Sequence, residues 1–156
     1  MSHNLSRDVS FVRVVNATAA GVTLVTGTHV DSSMFDGVLF LFALGALTAG
    51  QATSVKVQGG ALVNDSDMAD LLGSAGGPIA IADGDSNKMI AIDVAMPTFR
   101  YLRPLILRAT QNAVVDGVLA ICYHGGKLAY GQPQAPPLDA TMKAVAVLAS
   151  PIAGTP

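Results

Sequence analysis

KMIAIDVAMPTFRYLRPLILRATQNAVVDGVLAICYHGG, residues 88–126, is the stretch that decides the fold. It holds three apolar runs, Met89–Val94, Tyr101–Ala109 and Val114–Tyr123, separated by Pro97 and by the Gln111–Asn112 pair. Short runs rich in Ile, Val, Leu and Tyr, bounded by turn residues, predict buried strands. Asp93, Arg100, Arg103, Arg108 and Asp116 sit on or beside these strands and form no catalytic set. Pro104 predicts an edge strand or a bulge, because proline lacks the N–H that a ladder needs. On a regular strand Arg103 and Arg108 point to opposite faces. Two roles are open to the arginines: closing the strand ends by pairing with Asp93 or Asp116, or gripping acidic groups on a partner.

The rest of the chain reads the same way. Val9–Val15 alternates, Val22–Thr26 is a second β-branched run, and Asn16–Gly21 between them holds a turn. Asp31–Gly37 is a loop leading into Val38–Leu44, which is apolar on both faces and therefore belongs at the centre of the core. Ala49–Gln51 turns the chain into Thr53–Gln58, a hairpin candidate. Asn64–Gly73 predicts one short helix or helical turn, capped by Asp65 or Ser66 and ended by Gly73. Ile79–Ala82 is a short strand and Asp83–Lys88 a tight polar turn. Tyr130–Leu138 carries three prolines and predicts extended chain. Periodicity does not decide between helix and strand for Asp139–Ala149. The expectation is an all-β domain over residues 1–131, an antiparallel β-sandwich or barrel-like fold with at most one short helix. A Pro-rich C-terminal arm over 132–156 and an N-terminal arm, Met1–Arg7, extend from it.

Composition supports this. All eleven acidic residues are Asp, which favours turns and caps over helix interiors, and there are sixteen Gly and eight Pro. Hydrophobic residues make up 51% and charged residues only 13%, so much of the surface is weakly charged and better covered by a partner than by water. A formal net charge of −2 supplies no basic field for nucleic acid. The most apolar window, Val38–Leu47, is too short to cross a bilayer as a helix, and the polar N-terminus lacks the apolar core of a signal peptide. Neither a nucleic acid nor a membrane is therefore an expected partner, and synthesis in the cytoplasm is expected. Cys122 is the single cysteine, inside an apolar run, and reads as a buried inert thiol.

Motifs that would carry chemistry do not hold together. Asp83-Gly84-Asp85-Ser86-Asn87 starts like a calcium loop, but Lys88 stands where glycine is needed and Val94 where the closing acid is needed, so a turn is the better reading. Asp65, Asp67 and Asp70 fit a solvated turn. His3, His29 and His124 lack ligand spacing; His29 and Asp31 read as a surface pair on one strand face. Gly73-Ser74-Ala75-Gly76 is not a nucleophile elbow, and Gly125-Gly126-Lys127-Leu128 is not a phosphate loop. No enzyme activity, cofactor or metal is expected.

One stretch carries a resemblance. Asn87–Met89, Ile92–Val94, Pro97 and Arg100–Pro104, followed by Arg108–Tyr123, fit the pattern N-K-x-[LIM]-x-[LIV]-D-V-x-x-P-x-x-R-Y-[LV]-R-P and R-A-T-x-N-A-V-[VI]-D-G-[VI]-x-A-I-x-Y. This resembles a family of small virion structural proteins of tailed bacteriophages, encoded near the major capsid protein. Weaker matches are Met34–Gly37, Asp67–Gly73 and the closing Ser150-Pro151 and Gly154-Thr155. The resemblance implies a β-rich, non-catalytic head decoration or cement protein, dimeric or trimeric, bound to the major capsid protein on the capsid exterior. Arg100, Arg103, Arg108, Pro104, Met34 and Phe35 are the candidate interface residues. A tail or connector component is the alternative from the same class. A carbohydrate- or receptor-binding module is a further alternative, disfavoured by the absence of Trp and the presence of only three Tyr.

Overall fold

A computed structural model describes residues 9–71 and 79–123. Two antiparallel sheets pack face to face in a β-sandwich. Its strands are β1 (Val9–Val15), β2 (Thr18–Gly21), β3 (Val25–Thr26), β4 (Val30–Asp31), β5 (Gly37–Leu47), β6 (Ala52–Gly60), β7 (Ala69–Asp70), β8 (Ile79–Ile81), β9 (Met89–Ala95), β10 (Tyr101–Ala109) and β11 (Ala113–Tyr123). The first sheet runs β1-β11-β5-β9, with β2 also on β11. The second runs β3-β10-β6-β7, with β4 on β10 and β8 on β6. All three runs of the opening stretch are strands, as their residue content dictates, and they supply β9, β10 and β11. The C-terminal arm, the N-terminal arm, His3, His124 and Gly73 lie outside the described residues.

The core is built from one face of each sheet. Val38, Phe40, Phe42 and Leu44 of β5 interleave with Val115, Val118, Ala120 and Cys122 of β11, against Val55 and Val57 of β6 and Leu102 and Ile106 of β10. Phe40 and Phe42 are fully buried. Burying such side chains supplies about 2 kcal/mol each, the main drive for closing the two sheets. No helix among the described residues is long and apolar enough to cross a membrane.

Four local expectations are corrected. First, β5 and β6 are not a hairpin. Both edges of β5 are taken, by β11 and β9, so the turn after Leu47 carries the chain across to the other sheet. Second, Asn64–Asp70 forms bends and β7 instead of a helix. The Asp67 carboxylate accepts the backbone N–H groups of Ala61 and Leu62, and Asn64 accepts the N–H of Ser66, which closes local turns incompatible with helical pairing. The one helical turn among the described residues, a 3-10 turn, is at Asp83–Asp85. Third, the expected turn Asn16–Gly21 holds strand β2 (Thr18–Gly21), and of the Val22–Thr26 run only Val25–Thr26 is strand, Val22 and Leu24 being exposed. Fourth, a bulge between Arg13 and Val15 breaks the alternation of β1 and buries both Val14 and Val15.

Pro104 lies inside the second sheet, with β6 on one side and β3 and β4 on the other. Its carbonyl accepts the Gly27 N–H, but its missing N–H cannot return the bond. The outer strand is interrupted there, between β3 and β4. A side chain at Gly27 would collide with the Pro104 ring, at 2.6 Å from Cγ. Neither the edge strand nor the bulge expected at Pro104 is found: β10 is paired on both sides and its register with β6 is unbroken, the missing N–H being accommodated by the break in the outer strand.

Candidate functional site

The two outer faces of the sandwich differ in chemistry. On the first sheet, register places Phe11, Ile121, Leu39 and Asp93 in one cross-strand row, and Arg13, Leu119, Leu41 and Ala91 in the next. A third row is Val9, Tyr123, Gly37 and Ala95, and Ala43 and Met89 lie at the far end. Phe11, Leu39, Leu41, Leu119 and Ile121 are half-buried, and Met89 is 64% exposed. A strand apolar on both faces does lie centrally in its sheet, but only one of those faces meets the other sheet.

The outer face of the second sheet is threaded by a polar network. Lys56 donates to Asp70 at 2.8 Å, and Gln58 donates to the other Asp70 oxygen at 2.8 Å. The Gln58 side-chain oxygen accepts from Arg103 Nε and Nη2, and Arg103 Nη1 donates to Asp65. His29 Nε2 stands 3.4 Å from the same Asp65 oxygen, too poorly aligned to count as a hydrogen bond. Asp70 is held below the usual carboxylate range, chiefly by the Lys56 ammonium and then by Gln58. Asp31, expected beside His29, instead accepts from Arg100, while His29 lies near Asp65.

The three arginines are thus separated by function. Arg108, on the core face, is 6% exposed; its Nε donates to the Thr23 carbonyl, Nη1 to the Ala19 and Ala113 carbonyls, and Nη2 to the Thr23 hydroxyl. It pins β2, the β2–β3 connection and the start of β11 to β10. Arg103 faces outward, as alternation requires, and is 9% exposed within the polar network. Gln58 and Asp65 engage the Arg103 guanidinium, and backbone carbonyls engage that of Arg108, in place of the expected Asp93 and Asp116. Arg100 is exposed, donates to Asp31 from Nε (3.1 Å) and Nη2 (2.8 Å), and lies 5.0 Å from the Tyr101 ring centroid.

One end of the sandwich gathers exposed apolar groups. The loops Asp31–Asp36 and Met96–Arg100 are tied together there: Ser32 Oγ donates to the Phe99 and Arg100 carbonyls, and the Met96 N–H donates to the Asp36 carbonyl. Met34 is 39% exposed, Phe99 38% and Met96 82%, with Met96 held in the left-handed region at φ 49°. Phe35 turns inward and packs against the core. A cleft of about 270 Å³ opens beside these loops, lined by Val94, Met96, Pro97, Phe99, Leu71 and Leu102. Exposed methionines adapt to irregular partner surfaces. The Met96–Phe99 end was not legible in the sequence, where Pro97 reads only as a break. Met34 was legible, as part of a family-like segment.

The acidic candidates are used within the fold. Asp83 accepts the Gly50 N–H at 2.8 Å, and Asp85 accepts from Lys88 and from the Ala82 N–H, which keeps its carboxyl below the usual range. Cys122 is buried. Compared with known proteins, the chain matches no family model and no curated sequence.

Proposed function

We propose that this chain is a non-enzymatic decoration, or cement, protein of a tailed-bacteriophage capsid. It binds the outside of the major capsid protein shell as a homo-oligomer and stabilises it. The observation that carries this reading is the contrast between the outer faces: a mainly apolar face on the first sheet, with Arg13 and Asp93 as its charges, and a polar network on the second. The apolar face, and the exposed Met34, Met96 and Phe99 at one end of the sandwich, are suited to repeated low-charge contacts with a shell. The networked face is suited to water. The sequence resemblance over residues 87–123 supports the same reading. Attachment at several capsid subunits at once raises avidity without strong individual contacts.

Mixing the recombinant protein with expanded, undecorated capsids tests this. Co-sedimentation with the shells and a higher capsid melting temperature are expected. Failure to bind, together with labelling of tails by an antibody against the protein, would replace this reading with the tail or connector one.

A further inference from the structure

The most regular open edge among the described residues is β9, and its residues complement themselves. The other edges are short or irregular. β1 is bulged, and its Val14 carbonyl is met by the Thr28 N–H. β3, β4, β7 and β8 are only two or three residues long. β9 by contrast runs for 7 residues without a register shift, and carries no Lys, Pro or bulge of the kind that blunts edges.

The ladder shows which groups face outward. The Met96 N–H donates to Asp36, and the Lys88 carbonyl accepts from Leu44, so even-numbered residues turn their backbone groups toward β5. The N–H and C=O groups of Met89, Ala91, Asp93 and Ala95 therefore point away from the sheet. These same residues are exposed, and Ile90 and Val94 on the core-facing side are only half-buried.

We infer that two copies of this chain join through β9, antiparallel, about a two-fold axis at Ile92. That register sets Ala91 opposite the partner subunit's Asp93 and Met89 opposite the partner subunit's Ala95, and every outward N–H and C=O acquires a partner. On this outer side each larger or charged side chain lies opposite an alanine, and no two like charges are directly opposed. On the core side, Ile92 meets the partner subunit's Ile92 and Ile90 meets the partner subunit's Val94. These are β-branched cross-strand pairs of the favoured kind, and they finish burying residues left half-buried at the open edge. A one-residue slip would turn the outward backbone groups of one strand away from those of the other. The pairing merges the two apolar outer faces into one continuous surface. It does not depend on the capsid reading, because it is tested on the protein alone.

The test uses a pair of opposite charges at one position. Ala91→Asp places a carboxylate opposite the partner subunit's Asp93, and Ala91→Lys places an ammonium there. Sedimentation equilibrium should give the mass of two chains for the wild type and of one chain for Ala91→Asp, with near-UV circular dichroism unchanged. Ala91→Lys should dissociate at lower concentration than the wild type. Exchange of the Met89, Ala91, Asp93 and Ala95 amides should slow as wild-type concentration rises. The inference is overturned by a monomeric or trimeric wild type, by both charges shifting dissociation in the same direction, or by amide exchange that ignores concentration. If Ala91→Asp does not fold, the Ala91→Lys shift and the exchange data still decide.

Discussion

The Tyr123 hydroxyl donates a 2.8 Å hydrogen bond to Asp93, two strands away. To reach it, the ring passes over Gly37 of β5, where a Cβ would lie 2.2 Å from the ring. Burial first, then the hydrogen bond to Asp93 and the nearby charges of Asp93 and Asp36, push the Tyr123 hydroxyl from 10.0 up to about 12. One contact thus ties β11 to the edge strand β9 and makes glycine obligatory between them.

This contact predicts an alkaline signature. Tyr123 holds its proton more tightly folded than unfolded, so its contribution is complete below pH 10 and is lost as pH rises to about 12. Urea midpoints should fall across that window in the wild type, and fall less in Tyr123→Phe. Gly37→Ala should destabilise by about 1–3 kcal/mol in urea unfolding, because the ring must leave its place.

Arg108 should be the most stability-critical of the arginines. Its removal leaves the Ala19, Thr23 and Ala113 carbonyls short of a donor in a buried setting. Arg108→Met should cost about 3 kcal/mol in urea unfolding, on the scale of lost hydrogen bonds to a charged group. Arg108→Lys should recover only part, since one ammonium cannot span the same acceptors. Arg100→Met should cost less than either, because the Arg100–Asp31 pair is exposed.

On the acid side, Asp31, Asp70 and Asp85 all sit below the ordinary 3.8. For Asp31, burial pulls upward but is outweighed by hydrogen bonds from Arg100 and Ser33 and by the Arg100 charge. Depressed carboxyls contribute stability above pH 3.8 that is lost as pH falls below it. Asp70→Asn should flatten the decline of the urea midpoint over that acid range, measured by circular dichroism.

Thr110, in the β10–β11 turn, is held at φ 68°. A β-branched residue is strained there, by roughly 1–2 kcal/mol. Thr110→Gly should therefore raise the melting temperature, whereas Thr110→Val should not.

The long elements were legible because both faces or alternate positions of β5, β9, β10 and β11 are apolar, a pattern that admits few structures of this length. The separation of Arg103 from Arg108 was legible from strand alternation alone. Their partners were not: Asp65 is 38 positions from Arg103, and Thr23 is 85 from Arg108. The β5–β6 hairpin failed for a related reason. A turn at Ala49–Gln51 fixes chain reversal, but only β9 and β11, later in sequence, decide which edges of β5 remain open. The helix expected at Asn64–Gly73 failed because Asp65, one of its expected caps, is engaged by Arg103, and Asp67 binds back to the N–H groups of Ala61 and Leu62.

Seating on a capsid through the apolar outer face of the first sheet makes one demand above all: replacing an apolar side chain at the centre of that face with a charge must abolish binding, and a change on the opposite face must not. Co-sedimentation with undecorated capsids, comparing the wild type with Leu41→Lys and with Lys56→Gln, measures this. Leu41→Lys should fold but lose most of its capsid binding, while Lys56→Gln, on the opposite face, should bind as the wild type does. Equal binding by all three, or loss with Lys56→Gln alone, would contradict the proposed seating.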